Sequence, residues 1–160
     1  MEPRLFVFDW SGTISDDRRP VYAANMWLLR EHGKPEMNFE QWLPRTRMTP
    51  GEFLADHGVY GDPNELFRAY TRYFEEAKKS GIVSVPYADA EATLRHLRER
   101  NKEIAVLSSH PEESLRMEAD HYKFAQLFSL ILGNSRDKVQ GLLEICRQFG
   151  LSPTEVLYTG

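Results

Sequence analysis

Apolar residues recur along this chain in two textures. Short unbroken runs appear at RLFVF (4–8), EIAVLSS (103–109), LFSLILG (127–133) and VLYTG (156–160). Runs of this length, continuous rather than alternating, predict strands buried on both faces. Around the last three runs the apolar positions take helical spacing instead. Leu94 and Leu97 mark a helix over 90–100, Pro111 opens another over 111–122, and a third over 138–149 closes on Gly150. Strands alternating with helices at these spacings predict an α/β fold: a parallel sheet covered on both faces, in three layers.

The stretch between the first two strands has a different texture. Val21, Ala24, Trp27 and Leu28 repeat at helical spacing and stop at Gly33 and Pro35. Two shorter helices are expected over 39–47 and 50–57. A longer one opens at Asp62-Pro63-Asn64-Glu65, carries Leu66, Tyr70, Tyr73, Phe74 and Ala77 on one face, and ends at Gly81. The chain thus divides into an α/β core over 1–15 and 84–160 and an all-helical insert over 16–83. The insert follows the first strand, where a lid over a site would be placed. Asp16 and Asp17 are expected to cap its first helix and favour its dipole.

Composition narrows the partners. The 160 residues are 41% hydrophobic and 28% charged with a net charge of −4, which describes a globular domain and argues against a nucleic-acid partner. The one cysteine, Cys146, falls in an apolar stripe with Leu142, Leu143, Ile145 and Phe149; it is expected to be buried, and it excludes an intramolecular disulfide. No basic region followed by a long apolar one opens the chain, and no apolar run approaches the ~20 residues of a membrane span. The expectation is a cytoplasmic protein in a reducing setting, without a membrane partner. The oligomeric state is not legible.

In open parallel sheets ligands bind beyond the carboxyl ends of the strands. The first strand delivers Asp9, Ser11 and Thr13 there, the second Ser108 and Ser109, and the loop after the third leads to Asn134, Arg136, Asp137 and Lys138. A carboxylate can attack phosphorus, a lysine and hydroxyls can hold phosphoryl oxygens, and Mg2+ suits such an oxygen-rich set. Each residue also has a plainer reading. Asp9 can be a turn former, Ser108 a helix cap ahead of Pro111, and Lys138 a solvated charge. Arg45 and Arg47 in the insert are candidates to meet an anionic substrate tail, or a solvated face. No GxxxxGK, GxGxxG or HExxH stretch is present, and the five histidines are dispersed.

Taken in order, FVFDWSGTISDD, IAVLSS and RDKVQGLLEICRQFGLSPTEVLYTG resemble the motifs of the haloacid dehalogenase-like hydrolases. That family is composed mostly of phosphatases and phosphotransferases. The resemblance spans the chain and includes the helical insert, which matches a small helical cap. It implies a Rossmann-like core and a small phosphorylated substrate. It further implies that Asp9 attacks phosphorus to form an aspartyl-phosphate, that Asp9 and the backbone carbonyl of Ser11 bind Mg2+, that Ser108 holds a phosphoryl oxygen, and that Lys138 neutralises charge around Asp9. Ser109 and Thr13 are further substrate-binding candidates.

Two departures stand out. Ser11 replaces the second Asp that serves the family's phosphatases as general acid and base, a service worth roughly 10² to 10⁴ in rate. The stretch DWSGT is nearest by letters to the Asp-Trp-Ala-Gly-Thr of phosphonoacetaldehyde hydrolases, so carbon–phosphorus bond hydrolysis is one alternative. That chemistry needs a cap lysine, and the insert offers Lys34, Lys78 and Lys79. The family's fourth motif, Gly-Asp after a strand, stands here as VLYTG up to Gly160; the expectation is a chain that continues in a longer protein. A non-catalytic binding or regulatory relative is the other alternative.

Overall fold

A computed structural model describes residues 2–46 and 48–160. The chain divides into two compact units, Met1–Asp16 with Val85–Gly160, and Asp17–Ser84.

The first unit is built on strands β1 (Leu5–Phe8), β4 (Glu103–Leu107), β5 (Leu130–Leu132) and β6 (Val156–Thr159), hydrogen-bonded in the order β5-β4-β1-β6. Every pairing is parallel, with Phe8 opposite Val106 on one side and Thr159 on the other. Alternate side chains of each strand enter opposite layers. Phe8, Ile104, Val106 and Ile131 pack with Leu94 of α5 (Ala90–Glu99) and with Leu115 and Ala119 of α6 (Glu112–His121). Leu5, Val7, Ala105 and Leu107 pack with Ile145 of α7 (Lys138–Phe149). These are the three layers that the unbroken apolar runs require. Cys146 is buried beside Ile145.

The central strands agree with the apolar runs, and the margins differ. The third run is strand only from Leu130, because Ala125–Leu127 close a 3-10 turn. The second strand stops at Leu107, before its serines, and Pro111 stands at the N-cap of α6. Two strands carry no period at all: β2 (Ser15–Asp16) and β3 (Val85–Pro86) pair antiparallel, with Ser15 opposite Pro86 and Asp16 opposite Val85.

The second unit is helical. It comprises α1 (Arg18–Glu31), α2 (Phe39–Trp42), a 3-10 turn over Leu43–Arg45, α3 (Pro50–Asp56) and α4 (Pro63–Lys79). Asn38 and Thr49 each close a capping box, and the Asp62 carboxylate accepts the amides of Asn64 and Glu65. Leu28, Leu29, Trp42, Phe53, Leu54 and Phe74 form its own core. The expected cap of the first helix is corrected in detail: Asp17 occupies the N-cap position of α1 but makes no capping bond through its side chain, and Asp16 belongs to β2. Asp17 is buried, and its charge adds to burial in raising the phenol pKa of Tyr70.

Candidate active site

Asp9 is the first residue beyond β1. Its amide donates to the Thr159 carbonyl at 2.8 Å, so the sheet pairing continues through it and fixes its backbone. One carboxylate oxygen, Oδ1, accepts from the Trp10 amide at 2.7 Å and from Lys138 Nζ at 3.0 Å. The other, Oδ2, lies 3.4 Å from the Tyr158 hydroxyl. Burial pushes the Tyr158 phenol pKa up, and the Asp9 charge and this contact push it the same way.

Lys138 is the first residue of α7, a poor place for a cation in electrostatic terms because the helix N-terminus is itself partly positive. Its ammonium is held from the other side, by Asp9 and by the Leu107 carbonyl at 2.8 Å. Gly141 eases this close approach. A Cβ there would crowd Leu107 Cδ1, at 2.5 Å, and Ser135 Oγ, so a larger residue would have to push those side chains aside for α7 to lie this close to β4. Asp137 accepts the Gln140 amide at 3.0 Å and caps the helix.

The hydroxyls follow from the turns. Ser108 is buried, and its Oγ accepts the His110 amide at 3.2 Å, which leaves its own proton to donate. Its carbonyl accepts the Ser135 amide at 3.0 Å, and the Asn134 amide reaches the His110 carbonyl at 2.7 Å. The loops after β4 and β5 are thereby tied together. Ser109, next in line, is half-buried. Ser11 and Thr13 lie in a turn in which the Trp10 carbonyl accepts the amides of Thr13, Ile14 and Ser15 at 3.2, 2.9 and 3.0 Å. Gly12 completes the turn at φ 74°, a left-handed conformation that suits glycine.

The structure thus brings Asp9 and Lys138 into contact, with Ser108 and the 10–15 turn at neighbouring strand ends. Arg45 belongs to the helical unit, where its guanidinium donates to the Gln41 carbonyl at 2.6 Å and lies 4.0 Å from Asp56. Arg47 lies outside the described residues. Of the insert lysines, Lys78 is 4.0 Å from Glu75 and over the Phe74 ring, and Lys79 is exposed. Trp10 is consumed by packing: it is 1% exposed and stacks on Tyr122. Its presence after Asp9 is therefore accounted for by the core.

Sequence reading missed two residues here. Tyr158 was detectable in principle, because parallel register sets it opposite Val7, two residues from Asp9. Glu118 of α6, which receives the Trp10 indole N–H at 2.9 Å, had no local signal.

Among the described residues no three His, Cys, Asp or Glu side chains gather as a metal site, and no helix is long and apolar enough to cross a membrane. The oxygens available to a cation at the end of β1 are the Asp9 carboxylate and nearby backbone carbonyls. This is a hard donor set, of the kind Mg2+ takes together with water and phosphate oxygens.

Known proteins resemble this chain in sequence and in fold. A phosphoglycolate phosphatase of Pseudomonas putida is 27% identical over 169 residues, which cover 99% of this chain and 62% of that protein. Phosphoglycolate phosphatase 1 of Pseudomonas aeruginosa is 26% identical over 170 residues with the same coverage of 99% and 62%. The chain thus spans about three fifths of the length of these relatives, 62% in both cases. A solved structure of a haloacid dehalogenase-like family hydrolase from Streptococcus pneumoniae shares the fold at a TM-score of 0.83 and 17% identity, covering 99% of this chain and 75% of that one. The family profile described as haloacid dehalogenase-like hydrolase matches residues 6–160, from the first core strand to Gly160. With that match over nearly its whole length and the fold to go with it, the chain belongs to the haloacid dehalogenase-like hydrolases.

Proposed function

We propose that the protein is a phosphatase of this family that acts on a small phosphorylated metabolite through Asp9. The observation that carries the reading is the state of that carboxylate. It follows a buried strand, has Oδ1 held by a lysine and a backbone amide, and has Oδ2 3.4 Å from the Tyr158 hydroxyl, with no shorter hydrogen bond to that oxygen among the described residues. A carboxylate fixed on one side and available on the other is prepared to attack. The relatives named phosphoglycolate phosphatase support a small phosphorylated carboxylic acid as the substrate class.

In this reading an Asp9 oxygen attacks phosphorus and the ester oxygen leaves, taking a proton. Water then attacks the phosphorus of the aspartyl-phosphate, releasing inorganic phosphate and restoring Asp9. Lys138, held between Asp9 and Leu107, places a fixed positive charge beside the phosphoryl oxygens. Ser108 and Ser109, with Thr13, donate to those oxygens. Mg2+ would be held by the Asp9 carboxylate and the Ser11 carbonyl, and when bound would offset the phosphate charge. Ser11 supplies no carboxylate to protonate the leaving oxygen, so water fills that role and turnover is slow, or favours good leaving groups. The helical unit is read as the module that selects the substrate, with Arg45 and Arg47 as its candidate anion contacts.

The test is Asp9→Asn in the full-length protein. Phosphate release from phosphoglycolate and a panel of phosphate monoesters with Mg2+ should vanish while circular dichroism stays unchanged. Turnover retained by the variant defeats the reading. Binding of phosphate compounds without turnover by the wild type points instead to a non-catalytic relative.

A further inference from the structure

Glu118 sits on α6, more than a hundred residues from the 10–15 turn, yet one of its oxygens gathers both ends of that turn. Oε1 accepts from the Trp10 indole at 2.9 Å, from Ser15 Oγ at 2.6 Å and from the Tyr122 hydroxyl at 2.9 Å. Ser15 and Tyr122 also touch each other at 2.8 Å. Each hydroxyl has one proton, so both can point at the carboxylate, or one can donate to the other, which then donates onward. In every arrangement at least one of the two hydroxyl protons goes to Glu118, and the Trp10 indole proton goes there as well.

The anchors are buried in the core. Trp10 and Ser15 are 1% and 0% exposed, and the indole lies 5.9 Å from the Tyr122 ring, at 8° to it, with Phe128 edge-on at 6.0 Å. Trp10 directly follows Asp9, and Ser15 closes the turn that carries Ser11, Gly12 and Thr13. The turn's own bonds, three amides on the Trp10 carbonyl and the Gly12 amide on the Ser15 carbonyl at 2.9 Å, span the same two residues. A carboxylate makes stronger hydrogen bonds than a neutral acceptor, and this one joins the turn's two ends to a rigid helix.

We infer that Glu118 is a positioning residue: its carboxylate clamps Trp10 to Ser15 and so fixes the turn that presents Asp9, the Ser11 carbonyl and Thr13. Only the kinetic part of the test rests on the phosphatase reading; the structural part stands without it.

The experiment compares wild-type full-length protein with Glu118→Ala, Glu118→Gln and Glu118→Met. It measures amide hydrogen exchange at Thr13, Ile14 and Ser15, the Trp10 indole N–H resonance, and kcat and KM for phosphoglycolate with Mg2+. In Glu118→Ala these amides should exchange about 10-fold faster, as expected when a buried donor loses its partner, while β4 amides keep their protection. The indole resonance should move. The kcat should fall about 10-fold, consistent with displacement of the catalytic group, while KM stays within about 2-fold. Gln keeps an acceptor oxygen and should restore most of both effects, whereas Glu118→Met, of similar length but without an oxygen acceptor, should not; rescue by Met would show mere space filling and overturn the inference. Unchanged exchange in Glu118→Ala, or a loosened turn with unchanged kcat, overturns the inference. Where Glu118→Ala does not fold, Ser15→Ala removes one arm and should produce the same local exchange increase; its absence overturns the inference equally. A wild-type protein without activity defeats the phosphatase reading and leaves exchange and the indole resonance to decide on the clamp.

Discussion

Replacing Lys138 with methionine removes a charge while keeping most of the side-chain volume, and the structure separates its effect on stability from its effect on chemistry. Nζ stands 3.0 Å from Asp9 Oδ1, and the two side chains are 31% and 24% exposed. At an effective dielectric of about 20 the bare attraction at that distance is roughly 5 to 6 kcal/mol. Water reaching both groups, and the cost of ordering a long side chain, reduce the net value of such a partly exposed pair to about 1 kcal/mol. The bond to the Leu107 carbonyl adds about 1 kcal/mol more. Lys138→Met should therefore lower unfolding stability by no more than about 2 kcal/mol in urea titration. Catalysis weighs the charge differently. Under the proposed mechanism the ammonium would face the phosphoryl oxygens as well as Asp9 in the transition state, in a site from which substrate has displaced water. Loss of one such preorganised donor costs about 3 to 4 kcal/mol, so kcat for phosphate release should drop by about 10² to 10³. A variant that keeps a third of wild-type kcat, with stability changed as stated, refutes the assignment of Lys138 to charge neutralisation.

Other predictions follow from single contacts. Asp9→Asn removes the charge that helps to raise the Tyr158 pKa, so the phenol should ionise at lower pH than in wild type; the ultraviolet titration difference between Asp9→Asn and Asp9→Asn/Tyr158→Phe reads it. Because the folded-state phenol pKa is raised above its unfolded value near 10, the folded state holds its proton longer, and Tyr158 costs stability only as pH rises past about 10. Tyr158→Phe should flatten that alkaline loss in pH-dependent urea unfolding. Gly133→Ala would bring a Cβ within 2.5 Å of Glu112 Cα and 2.6 Å of its amide nitrogen, a backbone clash that should cost about 1 to 3 kcal/mol in thermal unfolding. Asp137→Ala removes the cap bond to the Gln140 amide and should cost about 1 kcal/mol in the same measurement.

What the sequence revealed was whatever repeats or punctuates. The runs at 4–8 and 103–107 read as buried strands because both faces of the sheet are covered, and α7 was bounded correctly by Lys138 and Gly150. Asp9 was legible because an apolar strand running into a carboxylate demands a use for the charge. The two-residue strands Ser15–Asp16 and Val85–Pro86 are too short to show a period, so nothing local announced them. The run at 127–133 misled because Leu127 and Phe128 are apolar for packing against the Trp10 side of the core, before the strand begins. Glu118 was invisible for a different reason: on an amphipathic helix an isolated Glu reads as solvated, and its partners Trp10 and Ser15 lie 108 and 103 residues away. The bond from Arg45 to the Gln41 carbonyl was not legible, because a backbone acceptor has no signature in the sequence.

The small ribbon of β2 and β3 has a consequence for how such a chain can change. Asp16 and Val85 are directly opposite one another, so the chain leaves the first unit and returns to it at adjacent positions. Topologically, everything between them is one large loop hung on a hairpin stem. Loop closure grows only logarithmically costly with length, by about 0.6 kcal/mol for each doubling, so the stem is nearly indifferent to what it carries. The helical unit has its own core and its own capped helices, and the parallel sheet takes no strand from it. An insert of another size or architecture can be exchanged at this stem without altering the register of a single core strand.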